Sequence, residues 1–551
     1  MRRPAYAGLA LAALLLWLAV LPIRPLFNTD EGRYAEIPRE MLAGGDWIVP
    51  HLDGLPYIEK PPLQYWATAL AYRVFGTGNS SARLYTALSG LGTIGAVWLL
   101  ARRLWDRDTA WRAAAVLAGM PLFVGMSQLL TLDMSLTFYM TVSVCGFLAA
   151  QRAAERRGEG SPSVRALMSL AWAAAALGVL TKGLVAAAIP AAVLILHTLI
   201  TRDPAPWRRL HWRSGLAVFL VITVPWHWLA ARRLADFVQF FFVREHFARY
   251  LTPEADREES WWFFAPVLLA GSMPWIIPAL RVLALGWRAR GRPGEFNAPL
   301  FLWLWAAFIL VFFSLSDSKL IPYVLPALPA LALGVAAAPP AALRRGALWS
   351  AALTALLAAG AAAASLNAAR LVSPSDRSVY VLQLAKPLLE IAAVLGVSAA
   401  FVLVRRARDA TLSTVVVGGG WCLALLLLMR AAAVLAPMYS GYGLAAAIRA
   451  EDPGVAGDGI PIYSVRTYDQ TVPFYLGRTV RLVAYRGELD YGLSRHPEAG
   501  IASVDEFLKQ WSLQPRAFAV MEISMFKELK SRGVPMRELA RDVHRVVVAR
   551  S

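Results

Sequence analysis

The chain has 551 residues, 58% of them hydrophobic and 17% charged, and a mean hydropathy of +0.49. Soluble globular proteins carry about 45–50% apolar residues, so this composition excludes a soluble enzyme and points to a polytopic α-helical membrane protein. The net charge is +18, but much of the arginine sits in short loops between apolar runs, where the positive-inside rule accounts for it and no nucleic-acid partner is expected.

The first apolar run, about residues 4–23, follows Arg2 and Arg3 and reads as a retained first helix with a cytoplasmic start. A polar loop, 24–80, comes next. It holds seven carboxylates, Asp30, Glu31, Glu36, Glu40, Asp46, Asp53 and Glu59, with Arg33, Arg39 and Lys60. Within it 36–43 reads as a short helix, and 62–75 as an interfacial helix too short to span. Further spans are expected at about 81–101, 109–126, 134–150, 166–180, 184–200, 214–230, 261–284, 298–314, 320–338, 347–367, 385–404 and 411–435, about 13 in all. With that count, the arginine loops that begin at Arg102, Arg152, Arg202, Arg288, Arg344 and Arg405 all fall on the cytoplasmic side. The loop 24–80, the 127–133 and 181–183 turns, 231–260, 315–319, 368–384 and everything after 436 then lie outside. Cys145 and Cys422 sit inside apolar runs and read as small core residues.

Residues 436–551 change character. Strand-like segments at 460–465, 479–485, 516–523 and 543–549 alternate with helix-like ones at 442–451, 503–513 and 524–532, the pattern of a small α/β domain. Ser503 is the expected N-cap of the second of these helices. The expected division is therefore a transmembrane domain, 1–435, and an outer α/β domain, 436–551.

Several polar residues stand where lipid makes them costly. Asp30 and Glu31 are adjacent carboxylates just past the first helix, read as a catalytic acid or base, a cation site, or a solvated loop start. Asp133 lies at a junction of two apolar helices, as a functional acid or a helix N-cap. Glu59 and Lys60 put an acid beside a base, ahead of Pro61 and Pro62. Lys182 and Lys319 each call for an anionic partner, for which a lipid phosphate is suited; snorkelling to the headgroups is the alternative. The 231–260 loop, with Arg244 and His246, reads as a lid or headgroup contact. Glu59 with His51 or His246 offers ligands for a divalent cation, although no metal-motif spacing is present. No phosphate-binding glycine loop, Rossmann fingerprint or HExxH motif occurs, which disfavours a nucleotide-driven pump and a nucleotide-sugar donor.

The run Asn28-Thr29-Asp30-Glu31-Gly32-Arg33-Tyr34, then Glu59-Lys60-Pro61-Pro62-Leu63, Thr131-Leu132-Asp133, Thr181-Lys182-Gly183, Met273-Pro274-Trp275 and Ser318-Lys319-Leu320-Ile321-Pro322-Tyr323 form an ordered set. Across nearly the whole chain this set resembles the polyprenol-phosphate-dependent glycosyltransferases of the GT-C class. It is most similar to the lipid A 4-amino-4-deoxy-L-arabinose transferases (the ArnT group), relatives of the protein O-mannosyltransferases. The resemblance implies a GT-C transmembrane bundle with a periplasmic C-terminal domain in a bacterial inner membrane. It also implies an undecaprenyl-phosphate sugar donor, a lipid A phosphate acceptor, a catalytic carboxylate at Asp30, and Glu59, Lys60, Asp133 and Lys319 lining one cavity. On that basis Lys60 and Lys319, with Arg33, Arg244, Lys182 and Tyr323, are the candidate phosphate- and substrate-binding residues, and a monomer is expected. The competing readings are a related transferase acting on protein or another glycan, and a lipid or sugar transporter. The clustering of polar candidates at one face favours an enzyme over a transporter.

Overall fold

The computed structural model describes residues 2–248, 259–288, 295–367, 378–457 and 459–550. Two compact units form, one from Met1–Val20 with Tyr85–Ala431, the other from Leu21–Leu84 with Ala432–Ser551. The outer loop expected at 24–80 thus packs with the C-terminal region in a single unit.

The first unit is all helix. Among the described residues seven helices are long and apolar enough to cross a bilayer. An eighth span results if Arg107–Ala118 and Pro121–Ser127, bent by 71° at their junction, are taken together. Val185–Thr201, Ala298–Ser314 and Ile321–Ala336 are apolar but shorter. Every span expected between 81 and 435 coincides with helix, but three of them are interrupted. Pro121 opens a new helix after Gly119 and Met120. The run 261–284 divides into Phe264–Gly271 and Ile276–Leu285 around Pro274. Pro322, Pro326 and Pro329 impose a 3-10 start on 321–327 before Leu328–Ala336. Each proline lacks the amide that an α-helix interior requires. Small residues let helices approach closely: a Cβ at Gly418 would lie 2.2 Å from the Ala115 carbonyl oxygen.

The second unit is α/β. Its sheet has the order β5 (Gly500–Ile501), β4 (Arg481–Val483), β3 (Ile462–Val465), β6 (Phe518–Glu522), β8 (Arg545–Ala549), β7 (Arg537–Arg541). The strands from β5 to β6 run parallel, and β8 pairs antiparallel with both β6 and β7. All four β3 residues are buried, as expected for a strand covered on both faces. Tyr463, Phe507 and Trp511 centre its core. Ser503 does cap Val504–Leu513, accepting the Glu506 amide at 3.2 Å.

Helix Asp30–Gly44 belongs to the same unit. Asp30 and Glu31 occupy its first turn, where carboxylates favour the helix dipole, and Gly45 ends it at φ 71°. A Cβ at Gly32 would meet the Thr471 amide at 2.7 Å, so this position must be glycine for the helix to seat on Thr471–Leu476. A short hairpin, β1 (His51–Leu52) and β2 (Leu55–Pro56), is tied in by carboxylates. Glu40 accepts the amides of Asp53 at 2.6 Å and Gly54 at 2.8 Å, and Asp53 accepts the Val480 amide at 2.8 Å.

Burial, reinforced by the neighbouring Glu36, pushes the Glu40 carboxyl up to about 8, and burial likewise pushes Asp53 up to about 8. The folded state therefore holds protons that the unfolded chain releases in the ordinary carboxyl range. The stability this contributes is complete below about pH 4 and is lost as pH rises through about 8. Asp53→Asn keeps the acceptor for Val480 and suits the left-handed φ of 56° at this position. In thermal unfolding followed from pH 5 to pH 9, this variant is expected to lose less stability on the alkaline side than the wild type.

Candidate active-site residues

In the second unit, Asp30 and Glu31 have opposite environments. Successive helix positions are about 100° apart, so one carboxylate faces solvent while the other turns inward. Asp30 is 56% exposed and makes a 3.3 Å ion pair with Arg33. The Glu31 side chain is 3% exposed. It takes Arg24 at 2.5 and 3.0 Å, Arg83 at 2.7 and 3.0 Å, and the Phe27 amide at 2.9 Å. Arg83 donates also to the carbonyls of Leu21, Arg24 and Pro25. Burial alone would raise the Glu31 pKa, but Arg83 and Arg24 together outweigh it and hold the carboxyl well below the usual range. Glu31 therefore fastens the chain entering the helix, and Asp30 is the member of the pair free to meet a substrate.

Arg33 continues the cluster. Its guanidinium pairs with Glu488 and lies 5.8 and 5.9 Å from the rings of Tyr34 and Tyr57. Burial pushes the Glu488 carboxyl up, against Arg33 and a hydrogen bond from Gln470. Glu59 acts electrostatically on Tyr57, Tyr65 and Glu488, which places it in the same neighbourhood, and the Lys60 ammonium donates to the Glu59 carbonyl at 2.9 Å. The buried hydroxyls of Tyr57 and Tyr65 and the Arg33 Nε have no hydrogen-bond partner among the described residues. Buried polar groups left so are costly, and a polar ligand would satisfy them. Sequence reasoning missed Glu488, Tyr57 and Tyr65. Glu488 lies in the C-terminal region with no local motif, and nothing in the sequence around Tyr57 or Tyr65 marks either hydroxyl as a site group.

In the first unit, Asp133 sits in the first turn of Leu132–Arg157, with Thr131 at the N-cap position, so the capping alternative for Asp133 does not hold. Asp133 forms an ion pair with Lys182, the last residue of Pro162–Lys182, and the Lys182 ammonium lies 5.1 Å from the centre of the Tyr323 ring. The anionic partner sought for Lys182 is thus a protein carboxylate. Breaking such a pair leaves an uncompensated charge, so the costs of Asp133→Asn and Lys182→Gln are expected to sum to more than the cost of the two changes together. The double variant is expected to recover stability, with a coupling of about 0.5–3 kcal/mol in a thermal-denaturation double-mutant cycle.

Lys319 is 6% exposed, and its ammonium donates to the Ser316 carbonyl at 2.5 Å. Among the described residues it has no carboxylate partner. Arg244 is exposed, and its guanidinium lies over the Phe240 ring at 5.5 Å in the π-helix Gln239–Ala248. The His246 side chain and residues 249–258 of the expected lid lie outside the described residues. Among the described residues no three His, Cys, Asp or Glu side chains gather as a metal site.

The sequence profile of the dolichyl-phosphate-mannose-protein mannosyltransferases matches residues 8–241, and that of the aminoarabinose transferase C-terminal domain matches 444–550. An undecaprenyl phosphate-α-4-amino-4-deoxy-L-arabinose arabinosyl transferase of Pseudomonas paraeruginosa is 36% identical over 341 residues, 60% of this chain and 59% of that protein. One from Edwardsiella ictaluri is 35% identical over 330 residues, covering 59% and 57%. The chain thus spans less than two thirds of the curated relatives it matches. The crystal structure of ArnT from Cupriavidus metallidurans bound to undecaprenyl phosphate superposes with a TM-score of 0.87 at 34% identity, covering 98% of this chain and 97% of that one. The Archaeoglobus fulgidus oligosaccharyltransferase AglB, at TM-score 0.54 and 13% identity over 95% and 70%, shares the fold alone.

Proposed function

The chain belongs to the ArnT family of membrane-embedded aminoarabinose transferases, and from that membership we propose that it moves 4-amino-4-deoxy-L-arabinose from undecaprenyl phosphate to a phosphate of lipid A, at the periplasmic face of a bacterial inner membrane. The observation that carries this reading is the near-complete superposition on a relative holding undecaprenyl phosphate.

In the proposed reaction the bond between sugar C1 and the donor phosphate oxygen breaks, and its electron pair leaves with undecaprenyl phosphate. A phosphate oxygen of lipid A forms the new bond to C1. Phosphate is already a competent leaving group, so the main tasks are holding the reactants in line and stabilising charge. Lys60 and Lys319 are the candidates for meeting phosphate charge, and the absence of a carboxylate partner for buried Lys319 among the described residues supports its assignment. Asp30 takes a proton where the acceptor carries one and orients the acceptor where it does not. Glu59, near the Tyr57 and Tyr65 hydroxyls that lack partners among the described residues, is a candidate for meeting the ammonium of the amino sugar, as is Asp133, which pairs with the Lys182 ammonium.

The test is expression in a Gram-negative host lacking its own transferase, followed by mass spectrometry of lipid A. The expected result is the mass increment of one or two aminopentose residues on lipid A. Unmodified lipid A together with new sugar on envelope protein would replace this reading with that of a protein glycosyltransferase.

A further inference from the structure

A cavity of about 1000 Å³ opens in the helical unit where Pro340–Leu366 begins, Ser378–Val404 ends and Ala410–Val434 begins. Its volume is at the upper end of the range of ligand pockets. The guanidinium-bearing residues Arg344, Arg405 and Arg408 line it, against the single carboxylate of Asp409. That carboxylate is engaged as a helix cap, accepting the Leu412 amide at 3.0 Å.

Two features show that this is more than arginine scattered in a loop. The turn that carries the arginines is built in a costly shape: Arg406 and Ala407 are consecutive non-glycine residues at φ 50° and 47°, and the Arg344 Nε holds the Arg406 carbonyl at 3.2 Å. Two long helices also begin at the cavity. Ala341, Ala410 and Thr411 line it, and first-turn amides such as theirs have no intrahelical acceptor and favour anions. Thr411 is fixed from behind by Arg112, which donates to its hydroxyl at 2.8 Å. The same cavity is bordered by the exposed apolar side chains of Phe401 and Val404. They lie on a helix long and apolar enough to cross a bilayer. An occupant that suits both parts of the lining has an anionic phosphate head and an apolar tail.

We propose that this cavity is a binding site for the phosphate headgroup of an anionic membrane phospholipid, separate from the residues assigned to sugar transfer. Phosphate is the chemistry recognised, and the apolar border commits the source to a lipid rather than a soluble phosphate.

The experiment uses the full chain, delipidated in neutral detergent, with native mass spectrometry and thermal unfolding as readouts. Phosphatidylglycerol is expected to bind and raise the unfolding midpoint, whereas phosphatidylcholine and inorganic phosphate are not. Arg344→Gln/Arg405→Gln/Arg408→Gln is expected to weaken phosphatidylglycerol binding on the order of 100-fold, from about a factor of five per arginine. Ala341→Trp puts an indole into the lining beside Arg344 without removing charge and is expected to weaken the same binding by crowding the headgroup, which covers a triple variant that fails to fold. Arg102→Gln/Arg103→Gln/Arg107→Gln removes equal charge from exposed positions outside the lining and is expected to leave binding near the wild-type level. Equal weakening by the two triple variants would overturn the proposal as general surface attraction. Protection by inorganic phosphate or phosphatidylcholine equal to that by phosphatidylglycerol would overturn it as well.

Discussion

Glu31→Ala is expected to destabilise the protein by about 3–5 kcal/mol, read as a lowered unfolding midpoint and reduced yield of folded protein, because it strands two buried guanidiniums at once. Arg24 and Arg83 are 2% and 1% exposed, and both direct their guanidiniums at the Glu31 carboxylate. Glu31→Gln is expected to fall between wild type and alanine, since it keeps hydrogen-bond acceptance but not charge. The pH dependence runs opposite to that of Asp53. A carboxyl held below its ordinary value contributes fully above about pH 4.5, and its contribution is lost as pH falls through the depressed value. Acid should therefore weaken the wild type more than the Gln variant.

Asp30→Asn is expected to leave the fold intact and remove most activity. Its ion pair with Arg33, at 3.3 Å with the carboxylate more than half exposed, contributes little to stability. A general base typically contributes about 100- to 10,000-fold, and a loss of that size in kcat with an unchanged unfolding midpoint is the expected outcome. A loss of only a few fold would leave Asp30 the weaker role of orienting an already ionised phosphate. Comparing Asp30 with Glu31 is therefore informative: neighbouring substitutions should separate, one in activity and the other in stability.

Much of the fold was legible because its signals are local. Apolar runs marked the helices, and alternating segments marked β3, β4, β6 and β8. The short β5 and the edge strand β7 escaped. Gly500–Ile501 is only two residues long, and Arg537–Arg541 is a charged strand at the sheet edge, where charge protects against unwanted pairing but conceals the strand pattern. Proline positions were visible, but their effect on the length of the individual spans became clear only from the helices. At the candidate site, residue types were legible and partnerships were not. Asp30 and Glu31 looked alike in sequence, and nothing near them announces Arg83, 52 positions away. Lys182 and Asp133, 49 positions apart, were both singled out, yet their mutual pairing depends on how two helix ends meet. Glu488 carried no signal, because its significance comes from contact with Arg33 rather than from its own neighbours.

The most direct test of aminoarabinose transfer is a reconstituted reaction with purified protein, undecaprenyl-phosphate-linked 4-amino-4-deoxy-L-arabinose and lipid A, read by mass spectrometry of both lipids. The predicted result is an aminopentose increment on lipid A matched by release of undecaprenyl phosphate, present with the wild type and nearly absent with Asp30→Asn. Folded wild-type protein that leaves both lipids unchanged would contradict the account.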